Sequence, residues 1–208
     1  GIQACPMPTA VLTSQTGFKS FYCNDCTDKL DYYTSEWKKL GFQPDGIYTG
    51  FLSSEKQVDK ILDFINSFET ENTLVLVDPV MGDGGRTYSL FTDALACKMK
   101  KLVTVADVIT PNLTVCSILC DVDYCESIKN ADKPDFMDKI AELGKDLLNR
   151  YGVKIVIITG IEHKDIDGTM YVQNLIAYKD EVFSVSCNKI GGSSSGTGDL
   201  FASVMFSG

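Results

Sequence analysis

The sequence predicts an α/β fold: a mainly parallel central sheet covered by helices on both faces, with an antiparallel hairpin at one edge. Three observations carry this expectation. Short β-rich apolar runs ending at Gly, Pro or Asn recur along the chain. Segments of helical period separate them, and two late runs are joined by only two residues. Strands that alternate with helices need crossover connections, so neighbouring strands run parallel and both faces of the sheet are covered.

The expected strands are "DGIYTGF", "LVLVDPV", "ADVITPN" and "VKIVIITG", each brief, apolar and stopped by a breaker. Between the first two, "SEKQVDKILDFINSF" sets Val58, Ile61, Leu62 and Ile65 on one face, and Ser54 with Gln57 forms a capping box at its start. Earlier, "DKLDYYTSEWKKL" aligns Leu30, Tyr33, Trp37 and Leu40 in the same way. A further helix is expected from Asp135 to Arg150, and a last one from near Thr197. The hairpin is "TMYVQNLIAY" and "EVFSVSC" around "KD". No linker, repeat or low-complexity tract divides residues 1–208, so one domain is expected.

Charge narrows the ligand class. With 28 acids against 19 bases the net charge is -9, which opposes nucleic-acid backbones and anionic membranes. No apolar run reaches the roughly 20 residues of a membrane span, and no secretory leader opens the sequence. A small ligand is therefore expected, and if it carries phosphates they must be held by backbone amides, helix N-termini and a metal ion. Among eight cysteines, Cys23 and Cys26 could join Cys116, Cys120 and Cys125 at zinc, but the second group is too widely spaced for a ribbon and the one histidine, His163, lies far along the chain. Reduced, mostly packed thiols in a cytoplasmic protein are the better expectation.

In open α/β sheets ligands sit outside the carboxyl ends of the strands. That rule gathers Asp78 to Asp83, Thr110 to Asn112, Thr159 to Gly160 and the loop before Asp199. In "SSGTGDLFAS", Gly196, Thr197 and Gly198 let the backbone turn several N–H groups into one concavity at a helix start, an anion cradle. Asp199 beside it is suited to take a proton from an attacking hydroxyl, although an acid in a first turn is also a common cap. In "VDPVMGDGGRTY", Asp78 and Asp83 suit a hydrated magnesium ion near a triphosphate, against the alternative of a capped turn before a helix near Thr92. Gly82, Gly84 and Gly85 favour a mobile loop there.

Taken in order, "PTAVLTSQTGF", "GIYTGF", "DPVMGDGGRTY", "ITPN" and "GTGDLFAS" resemble the pyridoxal (pyridoxine, pyridoxamine) kinases of the ribokinase-like superfamily. The resemblance implies a three-layer α/β/α domain lacking the family's first strand and helix and its final helices. It implies phosphorylation of the 5'-hydroxymethyl group of a B6 vitamer with ATP and Mg2+, in a cytoplasmic homodimer. By the same resemblance Asp199 is the base, with Gly196, Thr197 and Gly198 around the transferring phosphoryl group. Asp78 and Asp83 lie near the metal; Asp78, Thr110, Asn112, Thr159, Gly196 and Thr197 line the nucleotide side. Thr16, Phe51, Val80 and Asp199 face the vitamin, and His163 is a loop residue at the nucleotide rim.

Three positions depart from the family pattern. Val115 stands where a metal-organising glutamate is usual, Gln15 where "HTG" has histidine, and Phe51 where "TGY" has tyrosine. Two rival readings share the fold: a hydroxymethylpyrimidine kinase, against which Asp199 argues because those enzymes often carry Cys there, and a binder of pyridoxal or nucleotide without turnover, which Val115 favours. A dinucleotide-dependent oxidoreductase would need a G-x-G-x-x-G turn that the sequence does not contain.

Overall fold

A six-stranded sheet runs through the computed structural model, which describes residues 2–14, 18–124, 135–164, 167–192 and 196–208. In chain order its strands are β3 (Gly46–Thr49), β4 (Leu74–Val77), β7 (Val108–Ile109), β8 (Ile155–Lys164), β9 (Met170–Tyr178) and β10 (Glu181–Asn188). Across the sheet the order is β10-β9-β8-β7-β4-β3. The four strands from β3 to β8 pair in parallel, while β8–β9 and β9–β10 are antiparallel. Two small antiparallel ribbons stand apart from it: β1 (Ala10–Leu12) with β2 (Cys23–Asp25), and β5 (Gly82–Asp83) with β6 (Arg86–Thr87).

Side chains alternate across a strand, so each strand feeds two cores. On one face Val75, Val77, Ile109, Val156, Ile158, Leu175 and Ala177 meet α2 (Glu55–Phe68), α3 (Asp93–Val103), α4 (Leu113–Cys120) and α5 (Phe136–Tyr151). On the other, Leu76, Val108 and Ile157 meet Ala202, Phe201 and Met205 of α6 (Thr197–Ser207). The α/β expectation, with helices on both faces and an antiparallel edge hairpin, holds. Helix α1 (Leu30–Lys39) packs outside α2 through the edge-on contact of Trp37 with Phe64. Its expected apolar face is one residue too long: the helix stops at Lys39, and Leu40 is 79% exposed.

The start of α2 is tied by more than a capping box. Ser54 Oγ accepts from Gln57 N at 3.4 Å, while Gln57 Oε1 reaches back to Ser53 N at 2.8 Å rather than to the cap residue. Gln57 Nε2 then donates to Thr9 O and to Asp25 Oδ2, anchoring the β1–β2 ribbon to the domain. Because Gln57 is fully buried, replacing it with leucine removes three hydrogen bonds and leaves the Ser53 amide without its partner, while Thr9 O keeps Cys26 N and Asp25 Oδ2 keeps Ser53 Oγ. Gln57→Leu is expected to cost about 2–3 kcal/mol, read as a lower urea midpoint at unchanged slope.

Two sequence expectations are corrected here. "VKIVIITG" does not end its strand at Gly160. Gly160 adopts φ +68° inside an irregularity between Ile158 and Ile161, and β8 continues to Lys164. His163 consequently lies in a strand rather than a loop, its ring stacked on Tyr171 at 5.6 Å. The cysteines are also less uniformly packed than expected: Cys26, Cys116 and Cys120 are buried, but Cys5, Cys97 and Cys187 are exposed. Cys125 and Thr16 lie outside the described residues. Among those described, no helix is long and apolar enough to cross a membrane.

Candidate active site

Parallel strands that stop in register leave their polar end residues side by side. Here the loops beyond the tips are knitted together by main-chain bonds. Asp78 N donates to Thr49 O at 2.9 Å, Thr110 N to Val77 O at 3.3 Å, and Thr159 N to Pro111 O at 2.9 Å. Asn112, three residues beyond β7, and Thr159 of β8 form an isolated parallel bridge that resumes the pairing past the end of β7. The tips border one cleft of about 1850 Å³, lined by Asp78, Val80, Asp83, Thr110, Asn112 and Thr159, and by Phe51 at the end of β3.

The fourth expected segment reaches the same cleft. Helix α6 begins immediately after Gly196, whose φ of +82° turns the chain, and no side chain caps that helix. Gly196, Thr197, Gly198 and Asp199 all line the cleft, and Asp199 falls in the first helical turn. The amides of a helix's first turn lack intrahelical partners and carry the positive end of its dipole. A concavity of that sign suits an anion.

The acids that converge here act on one another. Burial, and next the negative charge of Asp199, push the Asp78 carboxyl up to about 7, an effect the Thr110 hydroxyl beside it partly offsets. The Thr110 oxygen is buried and makes no well-formed hydrogen bond. Tyr88 feels Asp83, Asp78 and Asp199 together, and burial first and those three charges next raise its phenol. Burial leads for Tyr48 too, followed by Asp78 and by the charge and hydrogen bonding of Asp199, which together hold that phenol protonated far into the alkaline range.

A metal fits this donor set in one particular way. Among the described residues, no three His, Cys, Asp or Glu side chains are grouped closely enough to hold an ion. Asp78, Asp83 and Asp199 nonetheless border one cleft, and burial, then the Asp199 charge, holds the Asp78 carboxyl up to about 7. That combination matches Mg2+, which keeps most of its shell as water and phosphate oxygen and takes one or two carboxylates from protein. Val115 supplies no further acid: it is 2% exposed and packs into the larger core.

Asn112, Gly84 and Gly85 are each engaged within the protein. The Asn112 amide is engaged by protein, accepting from Val115 N at 3.0 Å as the cap of α4 and donating to Gly82 O at 2.8 Å. The glycines after Asp83 do not make a loose loop; Gly84 and Gly85, at φ +57° and +77°, form the tight reversal of the β5–β6 ribbon. The capped-turn alternative is met separately, since Thr92 caps α3 by accepting from Leu95 N at 3.0 Å.

Sequence reasoning missed Tyr48, Tyr88, Asn174 and Lys189, all of which border the cleft. Asn174 Oδ1 accepts from Gly160 N at 3.1 Å, and Lys189 pairs with Glu162 at 2.6 Å. Phe51 and Val80, expected to face one ligand, do share an apolar corner with Leu52 and Tyr88, and Thr9 Oγ1 fixes the Phe51 carbonyl at 2.8 Å.

Comparison with known proteins identifies relatives of the chain and of its fold. A family model described as phosphomethylpyrimidine kinase matches residues 35–208. A Schizosaccharomyces pombe protein named "putative pyridoxal kinase" is 29% identical over 205 residues, 96% of this chain and 57% of that protein. Pyridoxal kinase of Bos taurus is 28% identical over 174 residues, 78% of this chain and 53% of the relative. A crystal structure of a "putative phosphomethylpyrimidine kinase" from Bacteroides thetaiotaomicron, in an orthorhombic form with pyridoxal, matches at TM-score 0.87 and 36% identity, covering 99% of this chain and 69% of that one. The chain spans about half the length of the curated relatives it matches.

Proposed function

The chain belongs to the phosphomethylpyrimidine kinase family, within the ribokinase-like superfamily, and from that premise we propose that it serves ATP-dependent phosphorylation of the 5'-hydroxymethyl group of a B6 vitamer. One observation carries the reading: Asp199, at the uncapped start of α6, faces the same cleft as Asp78 and the strand tips. A carboxylate beside an anion cradle is poorly placed to hold phosphate at rest. It is well placed to accept the hydroxyl proton as that oxygen attacks.

In this mechanism the acceptor ring lies against Phe51 and Val80, with its hydroxymethyl group toward Asp199. Asp199 takes the proton, and the Gly196, Thr197 and Gly198 amides hold the transferring group in line. Phosphoryl transfer demands positioning and charge neutralisation more than covalent help from protein, so these parts suffice. Asp78 and Asp83 would hold Mg2+, which when bound neutralises charge on the phosphate chain. Thr110 and Thr159 line the phosphate side. Asn112 serves the same side through its backbone and its tethers rather than through a free amide. The unpaired, exposed cysteines suit a cytoplasmic protein, and a homodimer is proposed from the family resemblance.

ADP release measured with pyridoxal, pyridoxine, pyridoxamine and hydroxymethylpyrimidine as acceptors tests the proposal. At least tenfold higher kcat/KM for one B6 vitamer over the pyrimidine is expected, the worth of about 1.4 kcal/mol of transition-state binding. The reverse preference would transfer the assignment to the pyrimidine kinase reading that the family's own description raises.

A further inference from the structure

We infer that Thr114 is a positioning residue for the Asp83 carboxylate and, through it, for a magnesium–nucleotide complex; the inference rests on the kinase reading above. The β5–β6 ribbon has only two residues in each strand, too few to keep a shape unaided. Its shape comes from α4. Thr114 Oγ1 accepts from Gly85 N at 2.9 Å, and Asn112 Nδ2 donates to Gly82 O at 2.8 Å. Gly85 also presses on the Tyr124 ring so closely that a Cβ there would lie 2.6 Å from it.

Asp83 sits between these two clamped glycines. Its Oδ1 accepts from Gly84 N at 2.8 Å, so the direction of the carboxylate follows the backbone of the reversal. Thr114 is 4% exposed and does not itself border the cleft, though Asn112 and Val115 beside it do; what its hydroxyl holds is the ribbon. Its helix, α4, is in turn fixed to the strand tips by the Asn112 cap and the Asn112–Thr159 bridge. The clamp therefore refers the position of Asp83 to α4 and to Thr159 of β8. Val115, the next residue along α4, brings no carboxylate of its own, which leaves the placement of Asp83 more consequential.

The test compares Thr114→Val, Thr114→Ala and Thr114→Ser with wild type by hydrogen exchange at the Gly85 amide and by calorimetric titration with ADP, in MgCl2 and in EDTA. Loss of the acceptor in the Val and Ala variants is expected to speed Gly85 exchange and to weaken ADP binding in MgCl2 by about three- to tenfold, the worth of one hydrogen bond. Binding in EDTA stays within about twofold of wild type by the same scale. Serine, which keeps the hydroxyl, restores both readouts. Unchanged affinity in MgCl2, an equal loss in EDTA, or no rescue by serine overturns the inference. Running Ala beside Val keeps the result decisive if one of them folds poorly. Because the readout is binding, a wild-type chain that binds Mg2+ and ADP but phosphorylates no vitamer sinks the kinase reading alone. No binding of Mg2+ and ADP by wild type would sink both.

Discussion

Asp199→Asn is expected to lower turnover by about 10²–10⁴-fold, the range that removal of a positioned general base commonly costs, while affinity for ADP in MgCl2 changes little. The substitution keeps the side chain's size and its capacity to accept from Tyr48, but not its capacity to take a proton. Asp199 is exposed at the mouth of the cleft in the first turn of α6, so fold stability should move by less than about 0.5 kcal/mol. Steady-state rates with the best vitamer, set beside calorimetric ADP binding, separate the two effects. A variant with wild-type kcat removes the base assignment, and with it the reason for placing the acceptor hydroxyl at this end of the cleft. The same variant carries an internal control: deleting the Asp199 charge removes one of the two causes that raise Asp78, so Asp78 should titrate lower in it.

Most of the layer order was legible in the sequence because it follows from period and punctuation. The runs that became β3, β4 and β7 are apolar and end at breakers, and α2 and α5 have unbroken amphipathic faces. What was not legible depended on partners distant in sequence. Gly160 carries the same local signal whether it ends a strand or sits in a bulge. The choice is made by Asn174, fourteen residues on, whose side chain satisfies the Gly160 amide and lets β8 resume. Leu40 extends the period of α1 but finds nothing to pack against. At the site, the tip rule gathered the acids and threonines correctly, yet it ranked residues by type rather than by what would already be bound to them. Asn112 looked like a ligand contact and is engaged as a cap and a tether. Tyr48 looked like strand core because it lies inside an apolar run; only the arrival of α6 beside β3 brings Asp199 to its hydroxyl.

The largest stability effect of pH should come from Asp78, and Asp78→Asn isolates it. In the folded chain burial, then Asp199, keep this carboxyl protonated up to about 7, against an ordinary value of 3.8. Between those values the native state holds a proton that the unfolded chain has released, so the unfolded state binds fewer protons and stability falls as pH rises through this window. Asparagine cannot ionise, and its contribution stays level. Asp78→Asn is therefore expected to gain on wild type between pH 4.5 and pH 8 by about 3 kcal/mol, from roughly 2.5 pH units at about 1.4 kcal/mol each, which is a difference in Tm growing by on the order of 10 °C for a chain of this size. Added MgCl2 should close the gap at pH 8, because a cation beside the ionised carboxylate reverses the cost of its charge, while the variant responds little. Thermal melts of both proteins at the two pH values, with and without MgCl2, check each part. A constant difference in Tm across the window would mean that Asp78 ionises normally. The variant's gain in stability would accompany a loss of phosphoryl transfer, as expected where clustered acids are retained for a charge that arrives only with the substrate.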